Sequence, residues 1–411
     1  MSIYFFKKGE ILKKIFCLIV ICIFIFSSCS NIKHNSKEEI SIEAEDKKII
    51  ATWVTYQEIK DLVDSSNSEK DFELAIHEMI NTLKKYSINV IFLHVRAFDD
   101  CFYKSNIYPV SKYCAKQDGS LKFDVLQKFI NICKPLGVEV HAWINPYRIR
   151  NDNDIDKISK NSLAYKYVKD GLNEKLIVTD NCIYYNPAYL EIQKYILDGI
   201  REILNNYDID GIHIDDYFYP TTAENIDKEN YNAYKETGGI LKLEDYRRQC
   251  INSLVSSIYA LVKDFDKNIC FTISPSSDID KNYNSHYADV NKWLTQNGYA
   301  DYIIPQIYYG YENEDMPFKD TLLKWTSINS SKLIIGLGIY KSGKKDVYAK
   351  SGEGEWINNS DIISKQIMDV VNNNLNGYSI YSSSFLMRNT NNIVLESEKE
   401  NIIKIMEIYE T

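Results

Sequence analysis

The chain has 411 residues, of which 45% are hydrophobic and 26% charged, a composition typical of a globular protein with a sizeable core. Its formal net charge of −9 leaves no basic stripe or patch of the kind that nucleic acids require, so the sequence predicts no nucleic-acid partner. Tyrosine is the one excess, at 32 residues, and it suits sugar stacking and core packing alike.

The N-terminal segment is typical of an export signal. Lysines between positions 7 and 14 precede an apolar run over residues 15–26, which is too short to span a bilayer and has the length of a signal-peptide core. The run ends in Phe26-Ser-Ser-Cys29, which resembles the lipobox of bacterial lipoproteins. That resemblance predicts a signal peptide over residues 1–28 and a lipid anchor on Cys29, which would hold the protein on the extracytoplasmic face of the membrane; ordinary secretion is the alternative.

A polar, charged stretch follows the cysteine. Residues 29–48 show almost no apolar periodicity and predict a flexible tether. The remaining residues, 49–411, are predicted to form one domain. Its cysteines show no CxxC pairing or histidine spacing typical of a structural zinc site, and most are expected to be small core residues.

Eight short apolar segments recur in this domain, most of them followed by a stretch with helical spacing of apolar residues, which indicates βα units and a parallel sheet. The predicted strands are residues 50–54, 90–95, 138–144, 211–215, 269–274, 302–308, 333–337 and 378–381. The predicted helices are residues 69–86, 123–136, 187–207, 243–265, 318–327, 360–374 and 396–409. This order favours an α/β fold, the (β/α)8 TIM barrel.

A doubly wound open sheet is the rival architecture. It usually carries a glycine-rich phosphate loop after the first strand, and the sequence after Trp53 has none, so no nucleotide cofactor is predicted. Long connections follow the second, third, fourth and seventh strands, over residues 99–121, 146–185, 217–242 and 340–359. On a barrel all four gather at the face where catalysis occurs.

Alternation along the strands predicts a polar upper layer inside the barrel. The residues expected to face inward are His94 and Arg96 on the second strand, His141, Trp143 and Asn145 on the third, Asp215 on the fourth, Thr272 and Ser274 on the fifth, and Gln306 and Tyr308 on the sixth. Three inward histidines also resemble a metal-ligand set, but we interpret His94, His141 and His213 as hydrogen-bonded core residues and predict no metal site.

Several motifs, in this order along the chain, resemble the glycosyl hydrolase-like 10 family. They are Arg96-Ala-Phe-Asp-Asp, His141-Ala-Trp-Ile-Asn-Pro-Tyr-Arg148, Tyr185-Asn-Pro-Ala, Asp210-Gly-Ile-His-Ile-Asp-Asp-Tyr-Phe-Tyr-Pro220 and Phe271-Thr-Ile-Ser-Pro275. The resemblance covers residues 53–338 and implies a TIM-barrel domain of bacterial envelope lipoproteins that cleaves glycan strands, peptidoglycan being the favoured substrate. The chain departs from the family pattern at Ala97, Cys101 and Tyr246, none of which removes a carboxylate.

Glycoside hydrolysis normally uses two carboxyl groups. Asp215 is the first choice, since it ends the fourth strand facing inward, where Arg96 is expected to keep it ionised as nucleophile or base. Asp216 points away by alternation unless the strand ends in a bulge or turn, and it either joins the cleft as the acid or caps a loop. The other candidates for the second carboxylate are Asp99, Asp100, Asp278 and Glu353, and spacing does not choose among them.

Sugar binding is assigned to side chains that stack on rings or bond hydroxyls. They are Arg96, Asp99, Trp143, Asn145, Arg148, Asn186, Tyr217, Tyr219, Ser274, Gln306 and Tyr309. Because no GxSxG elbow is present, a serine hydrolase is not predicted. The expected function is therefore a lipid-anchored glycoside hydrolase without a cofactor, acting on an extracellular or cell-wall polysaccharide. The alternatives are a non-catalytic glycan-binding lipoprotein and a scaffold or transport-associated lipoprotein.

Overall fold

A computed structural model describes residues 48–409. Eight parallel strands form the central sheet, as predicted. They are β1 (Ile49–Val54), β2 (Val90–Arg96), β3 (Glu139–Ile144), β4 (Gly211–Ile214), β5 (Cys270–Ile273), β6 (Tyr302–Ile303), β7 (Ile335–Leu337) and β8 (Gly377–Ile380). The predicted signal peptide, Cys29 and the predicted tether up to residue 47 lie outside the described residues.

The sheet closes on itself as a TIM barrel. Its order is β7-β8-β1-β2-β3-β4-β5-β6, with every neighbouring pair parallel. Single bridges between Ile303 and Leu333 and between Gln306 and Gly336 join β6 to β7. The sixth strand is therefore much shorter than the predicted 302–308, and beyond Ile303 its chain pairs through isolated bridges only.

Helices surround the sheet. They are α1 (Tyr56–Ser65), α2 (Glu69–Lys84), α3 (Val125–Cys133), α4 (Leu163–Lys169), α5 (Leu190–Asn206), α6 (Lys228–Glu236), α7 (Leu243–Phe265), α8 (Ile279–Asn284), α9 (Val290–Thr295), α10 (Phe318–Ile328), α11 (Glu355–Asn358), α12 (Ile362–Asn372), α13 (Ser383–Met387) and α14 (Ile393–Tyr409). Short 3-10 turns lie at Lys134–Leu136, Ile155–Lys157, Asn173–Lys175, Ser330–Lys332, Ile339–Lys341 and Lys350–Gly352. No helix in the described range is long and apolar enough to cross a membrane.

The two faces of the sheet bury different side chains, because successive residues of a strand point to opposite sides. Outward-facing residues such as Ile91, Val140 and Ile212 join the large core between sheet and helices. Inside the barrel lies a smaller apolar cluster; its buried members are Ala51, Trp53, Val90, Phe92, Trp143, Ile304 and Ile334. Gly211 belongs to this interior by necessity, since a Cβ there would lie 2.5 Å from the ring of His141.

The connection from β3 to α5 carries an element that the sequence did not predict. Three short antiparallel strands, Arg148–Arg150, Leu176–Val178 and Ile183–Tyr185, form a separate sheet on the carboxyl side of the barrel. The helix after it starts at Leu190 rather than at Pro187. The Asn186 side chain instead accepts a hydrogen bond from the Ala188 N–H at 3.1 Å, which makes a turn before the helix.

The cysteines of the described region are core residues or partly buried, and all six are unpaired thiols. Cys101, Cys114 and Cys133 have almost no exposed surface. This agrees with the interpretation of most cysteines as small apolar residues.

Candidate active site

A cleft of about 480 Å³ opens at the carboxyl ends of the barrel strands, where the long connections meet. It is lined by Trp53, Thr55, Tyr56, Gln57, His94, Trp143, Arg148, Asp215, Asp216, Tyr217, Ser274, Gln306, Tyr308, Tyr340 and Tyr381. Seven of the thirteen residues assigned to catalysis or sugar binding therefore line one cleft. Those seven are Trp143, Arg148, Asp215, Asp216, Tyr217, Ser274 and Gln306.

The two adjacent aspartates both face this cleft. Strand β4 ends at Ile214, one residue before Asp215, and the chain bends at Asp216. Alternation no longer applies once the strand has ended, so consecutive side chains reach the same space. This removes the objection that Asp216 must point away from Asp215.

Asp215 is a buried carboxylate with few partners. Its Oδ2 accepts a hydrogen bond from Trp143 Nε1 at 3.0 Å, whereas Oδ1 has no hydrogen-bond partner within residues 48–409. Burial, and next the charge of Asp216, raise the pKa of Asp215 to about 7, against the opposing effects of Arg148 and the Trp143 bond. Near neutral pH this group therefore exchanges between its acid and its ionised form.

Asp216 has a different environment. It is less buried than Asp215 and lies near His286 and Gln306. Burial raises the pKa of Asp216, and the charge of His286 and a hydrogen bond from Gln306 oppose that rise. Gln306 is itself fixed by donating Nε2 to the backbone oxygen of Ser274 at 2.9 Å. His286 lies in the α8–α9 connection and was not expected in the site.

Arg148 supplies the positive charge beside Asp215. Its guanidinium lies over the ring of Tyr217, 4.0 Å from the centroid, and over Phe98 at 4.8 Å. Nε donates to the backbone oxygen of Ala97 at 3.3 Å. With its amide oxygen turned toward the guanidinium, Asn145 accepts from Nε and Nη2 at 3.1 and 3.2 Å. Asn145 is fully buried, so its contribution is to hold Arg148 in place.

His94 and Trp143 form a stacked pair in the cleft floor. Their ring centroids are 3.6 Å apart with nearly parallel planes, which fixes the indole whose N–H reaches Asp215. Burial, and then the charge of Arg148, lower the pKa of His94 well below its usual value, so the imidazole is neutral. Neither ring nitrogen has a hydrogen-bond partner in the described part of the chain.

His213 and His141 differ from His94. His213 Nε2 accepts from Trp53 Nε1 at 3.0 Å and Nδ1 lies 2.7 Å from Thr272 Oγ1, so it is the hydrogen-bonded core histidine that the sequence predicted. His141 lies 3.5 Å from Glu139 and is almost fully buried. Among residues 48–409, no group of three or more His, Cys, Asp or Glu side chains is placed to hold a metal ion.

The prediction that Arg96 faces inward beside Asp215 is wrong. A register shift between His94 and Arg96 pairs Arg96 with Ile144, an outward-facing residue of β3. Such a bulge moves the following side chain to the other face of the sheet. Arg96 Nη1 then donates to the backbone oxygens of Asn145 and Pro146 at 2.6 and 3.1 Å, and its guanidinium lies 4.4 Å from the ring centroid of Tyr108.

Asp99 joins Arg96 outside the cleft. Arg96 Nη2 lies 3.6 Å from Asp99 Oδ1, which also accepts from Tyr195 OH at 3.1 Å. Asp99 Oδ2 accepts from Tyr185 OH at 2.5 Å and from the Ala164 N–H at 3.5 Å. This carboxylate therefore fastens the β2–α3 connection to the inserted sheet and to α5.

The remaining sugar-binding candidates also lie outside the cleft lining. Asn186 is fully buried and donates Nδ2 to the backbone oxygens of Glu174 and Ile226 at 3.1 and 2.7 Å. Tyr219 is buried, with its OH donating to Asp227 at 3.2 Å. Tyr309 OH accepts from Ser277 at 3.0 Å. Its neighbour Tyr308 lines the cleft instead, as alternation along the sixth strand predicted.

The alternatives to Asp216 as the second carboxylate are held elsewhere. Asp278 caps α8 by accepting from the Lys281 N–H at 2.9 Å. Glu353 is about half exposed and pairs with Lys345 at 2.8 Å. Asp99 and Asp100 line a second cavity beside the cleft. Of the five candidates, Asp216 alone shares the lining of this cleft with Asp215.

Four tyrosines of the cleft, Tyr56, Tyr308, Tyr340 and Tyr381, come from distant parts of the chain. Tyr56 opens α1, which starts directly after β1 because Thr55 forms a capping box with Glu58. Tyr340 follows β7 and Tyr381 follows β8. Their position shortly after a strand could have marked them as site residues from the sequence, since the carboxyl ends of parallel strands meet at one face.

Comparisons with known proteins agree with this architecture. A model of the family described as glycosyl hydrolase-like 10 matches residues 48–356. Glycosyl hydrolase YngK of Bacillus subtilis (strain 168) is 31% identical over 288 residues, which are 64% of this chain and 55% of that protein. Glycosyl hydrolase DigH of Escherichia coli (strain K12) is 25% identical over 314 residues, 70% of this chain and 70% of that protein. The chain thus spans about half the length of the Bacillus relative.

The fold is similar to that of a solved glycoside hydrolase domain. The PgaB (BpsB) glycoside hydrolase domain from Bordetella bronchiseptica aligns with a TM-score of 0.58 at 10% identity, covering 87% of this chain and 99% of that one. At this identity the likeness concerns the fold.

Proposed function

The chain belongs to the glycosyl hydrolase-like 10 family, and we propose that it is a glycosidase that hydrolyses O-glycosyl bonds of an extracellular or cell-wall polysaccharide. Glycan strands of peptidoglycan are the favoured substrate. The observation that supports this best is the pairing of Asp215 with Asp216 in one cleft, where the pKa of Asp215 is raised by burial, and next by the charge of Asp216, to about 7.

The two carboxyl groups have complementary roles in this proposal. Glycoside hydrolysis needs one group that protonates the leaving oxygen and one that attacks the sugar or activates water. Asp215 fits the acid, because its raised pKa keeps much of it protonated near neutral pH. Asp216 is then the ionised partner. This reverses the expectation from sequence, which made Asp215 the ionised group because Arg96 was placed beside it.

The cleft walls suit a sugar chain. Tyr217 and the other cleft tyrosines offer flat ring faces for pyranose rings, and Gln306 and Gln57 offer hydrogen-bonding groups for hydroxyls. Arg148 balances the charge of the two aspartates and, when substrate displaces water, stabilises negative charge on Asp215 after the proton has left.

The test is cleavage of defined glycans by the purified protein. Peptidoglycan strands freed of peptides and a panel of other polysaccharides are incubated with it, and the products are identified by mass spectrometry. We expect new reducing ends with wild-type protein and their loss in Asp215→Asn and Asp216→Asn. Glu353→Gln is the matched control, since that carboxylate lies on the same face but outside the cleft.

The same assay separates the proposal from its rival. Binding of glycan in a pull-down without release of reducing ends, from wild-type protein on every substrate, would replace the glycosidase with a glycan-binding lipoprotein. Full activity in Asp215→Asn would remove Asp215 from the mechanism.

We also propose that lipid on Cys29 holds the protein at the extracytoplasmic face of the membrane. The support is the sequence alone, namely the basic and apolar segments followed by Ser27-Ser28-Cys29. Cys29→Ser is expected to move the protein from the membrane fraction to the soluble fraction of cells. The anchor would be contradicted if the Cys29→Ser variant stayed in the membrane fraction and wild-type protein carried no lipid.

A further inference from the structure

A second cavity lies on the same face of the barrel, beside the cleft, and we propose that it is a distal binding site for neutral sugar units of the glycan chain whose cleavage is proposed above. We call it the side cavity. The inference rests on the proposed function and adds to it that the substrate is a chain long enough to occupy both concavities.

The side cavity has a volume of about 390 Å³ and lies between the β2–α3 connection and the inserted segment after β3. Its lining from the first wall includes Phe98, Asp100, Val110, Lys112 and Tyr113. The second wall contributes Ile149, Arg150, Asn151, Lys157, Ile158, Ser159, Asn161 and Ser162. None of the thirteen residues assigned from sequence to catalysis or sugar binding lines it except Asp99.

A partition one side chain thick separates this cavity from the cleft. Tyr56, which lines the cleft, contacts Phe98 and Tyr113 of the side cavity with ring centroids 5.2 and 5.5 Å apart. Arg148, also in the cleft lining, lies 4.8 Å from the Phe98 centroid. A glycan chain that leaves the cleft across Tyr56 and Arg148 therefore enters the side cavity next.

The walls are fixed before any ligand arrives. Arg150 donates Nε and Nη2 to Asp152 at 2.8 and 2.5 Å and Nη1 to the backbone oxygen of Lys157 at 2.7 Å, which ties the rim of the insertion together. On the other wall Asp99 joins its connection to the inserted sheet through Tyr185. Preformed walls lower the entropy cost of binding.

The lining has the chemistry of a carbohydrate site. The rings of Phe98 and Tyr113 offer apolar faces, and the exposed side chains of Lys112, Asn151 and Asn161 offer hydrogen-bonding groups to hydroxyls.

The charges of the cavity favour neutral sugar over an anionic ligand. Arg150 pairs with Asp152, and Lys157 pairs with Asp154 at 2.8 Å. Asp100 offsets Lys112, which lies 5.0 Å from the ring centroid of Tyr113. Most of the positive charge is therefore already compensated, which suits the uncharged sugar units of such a chain.

The experiment measures how affinity depends on chain length in a variant that does not cleave. Asp215→Asn protein is titrated calorimetrically with β-1,4-linked N-acetylglucosamine oligomers of two, four and six units, and with peptidoglycan strands freed of peptides. We expect the longest chains to bind about tenfold more tightly than the dimer. Adding Lys112→Ala and Asn161→Ala to that background should abolish this gain and leave affinity for the dimer unchanged.

The control adds Lys116→Ala and Lys160→Ala, two exposed lysines that flank the cavity without lining it. The control should keep the full length dependence. If the Lys112/Asn161 variant also keeps it, or if the affinity of Asp215→Asn protein does not rise with chain length, the side cavity is not a sugar site. A different result would contradict the proposed function, namely wild-type protein that binds glycans but releases no reducing ends.

Discussion

Asp99 and Asp215 are two buried aspartates on the same face of the barrel, 4% and 2% exposed, and they differ in how their oxygens are used. Asp99 accepts hydrogen bonds from Tyr185, Tyr195 and a backbone N–H and lies beside Arg96. Asp215 accepts one from Trp143, and its other oxygen has no partner within the described range.

This difference distinguishes a carboxylate that stabilises the fold from one that is kept for binding or catalysis. A buried carboxylate whose oxygens are satisfied stabilises the fold that satisfies them. A buried carboxylate with an unused oxygen costs free energy in the empty protein, and such a cost persists where a ligand uses the group. Substitution of a satisfied carboxylate is therefore expected to impair folding. Substitution of a carboxylate with an unused oxygen is expected to impair activity without impairing folding.

The largest effect is expected for Asp215→Asn. Loss of the acid should lower the rate of glycan cleavage by about a thousandfold. Stability should move the other way. Because the folded pKa of Asp215 is raised by burial, and next by the charge of Asp216, to about 7, well above that of an unfolded aspartate, the wild-type protein loses stability as pH rises from about 4 to about 7.

The stability readout is a thermal melt at two pH values. Asparagine carries no charge, so at pH 8 the variant should melt above wild type, and at pH 4 the two should nearly coincide. A variant that melts well below wild type at both pH values would place Asp215 in the same class as Asp99.

The pH dependence of wild-type activity is the second expectation. As the acid, Asp215 works in its protonated form, and that fraction falls as pH rises through the pKa of about 7 set by burial and by the neighbouring Asp216 charge. Above pH 7 the rate should fall by about tenfold per pH unit. Initial rates on a cleaved glycan between pH 4 and pH 9 measure this limb, and a rate that stays constant to pH 9 would exclude Asp215 as the acid.

Asp99→Ala tests the other half of the comparison. Removing the carboxylate leaves the buried Arg96 guanidinium and two tyrosine hydroxyls without their partner, which should cost about 3 kcal/mol of unfolding free energy. Urea unfolding measures it. Asp61→Ala, which breaks the exposed pair with Arg388, is the control and should cost less than about 1 kcal/mol.

Activity per folded molecule distinguishes the two aspartates. On a short substrate that occupies the cleft alone, it should change little in Asp99→Ala where the protein remains folded. A normally folded Asp99→Ala that is as inactive as Asp215→Asn would end the distinction drawn from their hydrogen bonds.

The sequence predicted the barrel well because alternation is regular within a strand, and it failed where regularity stops. Five residues of the predicted inward set line the cleft, namely His94, Trp143, Asp215, Ser274 and Gln306. Arg96 was misplaced by one bulge, which no residue pattern marks. Asp216 remained open because a strand end is the least predictable boundary, and here β4 ends one residue before Asp215.

Site residues that lie on loops far from the strand ends were harder still to predict from the sequence. His286 approaches Asp216 from the α8–α9 connection, and only the packing of those short helices brings it there. The inserted sheet after β3, which gives the side cavity one wall, has strands of three residues, too short for an alternation signal.

The smallest expected effect concerns two buried histidines. Like the two aspartates, they differ in whether their polar atoms have hydrogen-bond partners. His213 bonds Trp53 and Thr272, whereas both nitrogens of His94 lack partners in the described chain. His94→Phe keeps a ring to stack on Trp143 and removes two unsatisfied polar atoms, so the unfolding free energy should rise slightly, by about 1 kcal/mol. His213→Phe should instead lower it, because the hydrogen bonds with Trp53, Thr272 and Ser274 are lost.

We expect activity to fall about tenfold in His94→Phe, on the hypothesis that substrate binding brings a hydroxyl to the imidazole nitrogens, which are unpaired and buried in the empty cleft. We expect this loss mainly in KM, with kcat less affected, because the indole that orients Asp215 stays stacked. A His94→Gln variant should recover part of the affinity by restoring a donor and an acceptor. Equal kinetics in wild type and His94→Phe would show that unmet hydrogen bonds in this cleft do not mark substrate contacts.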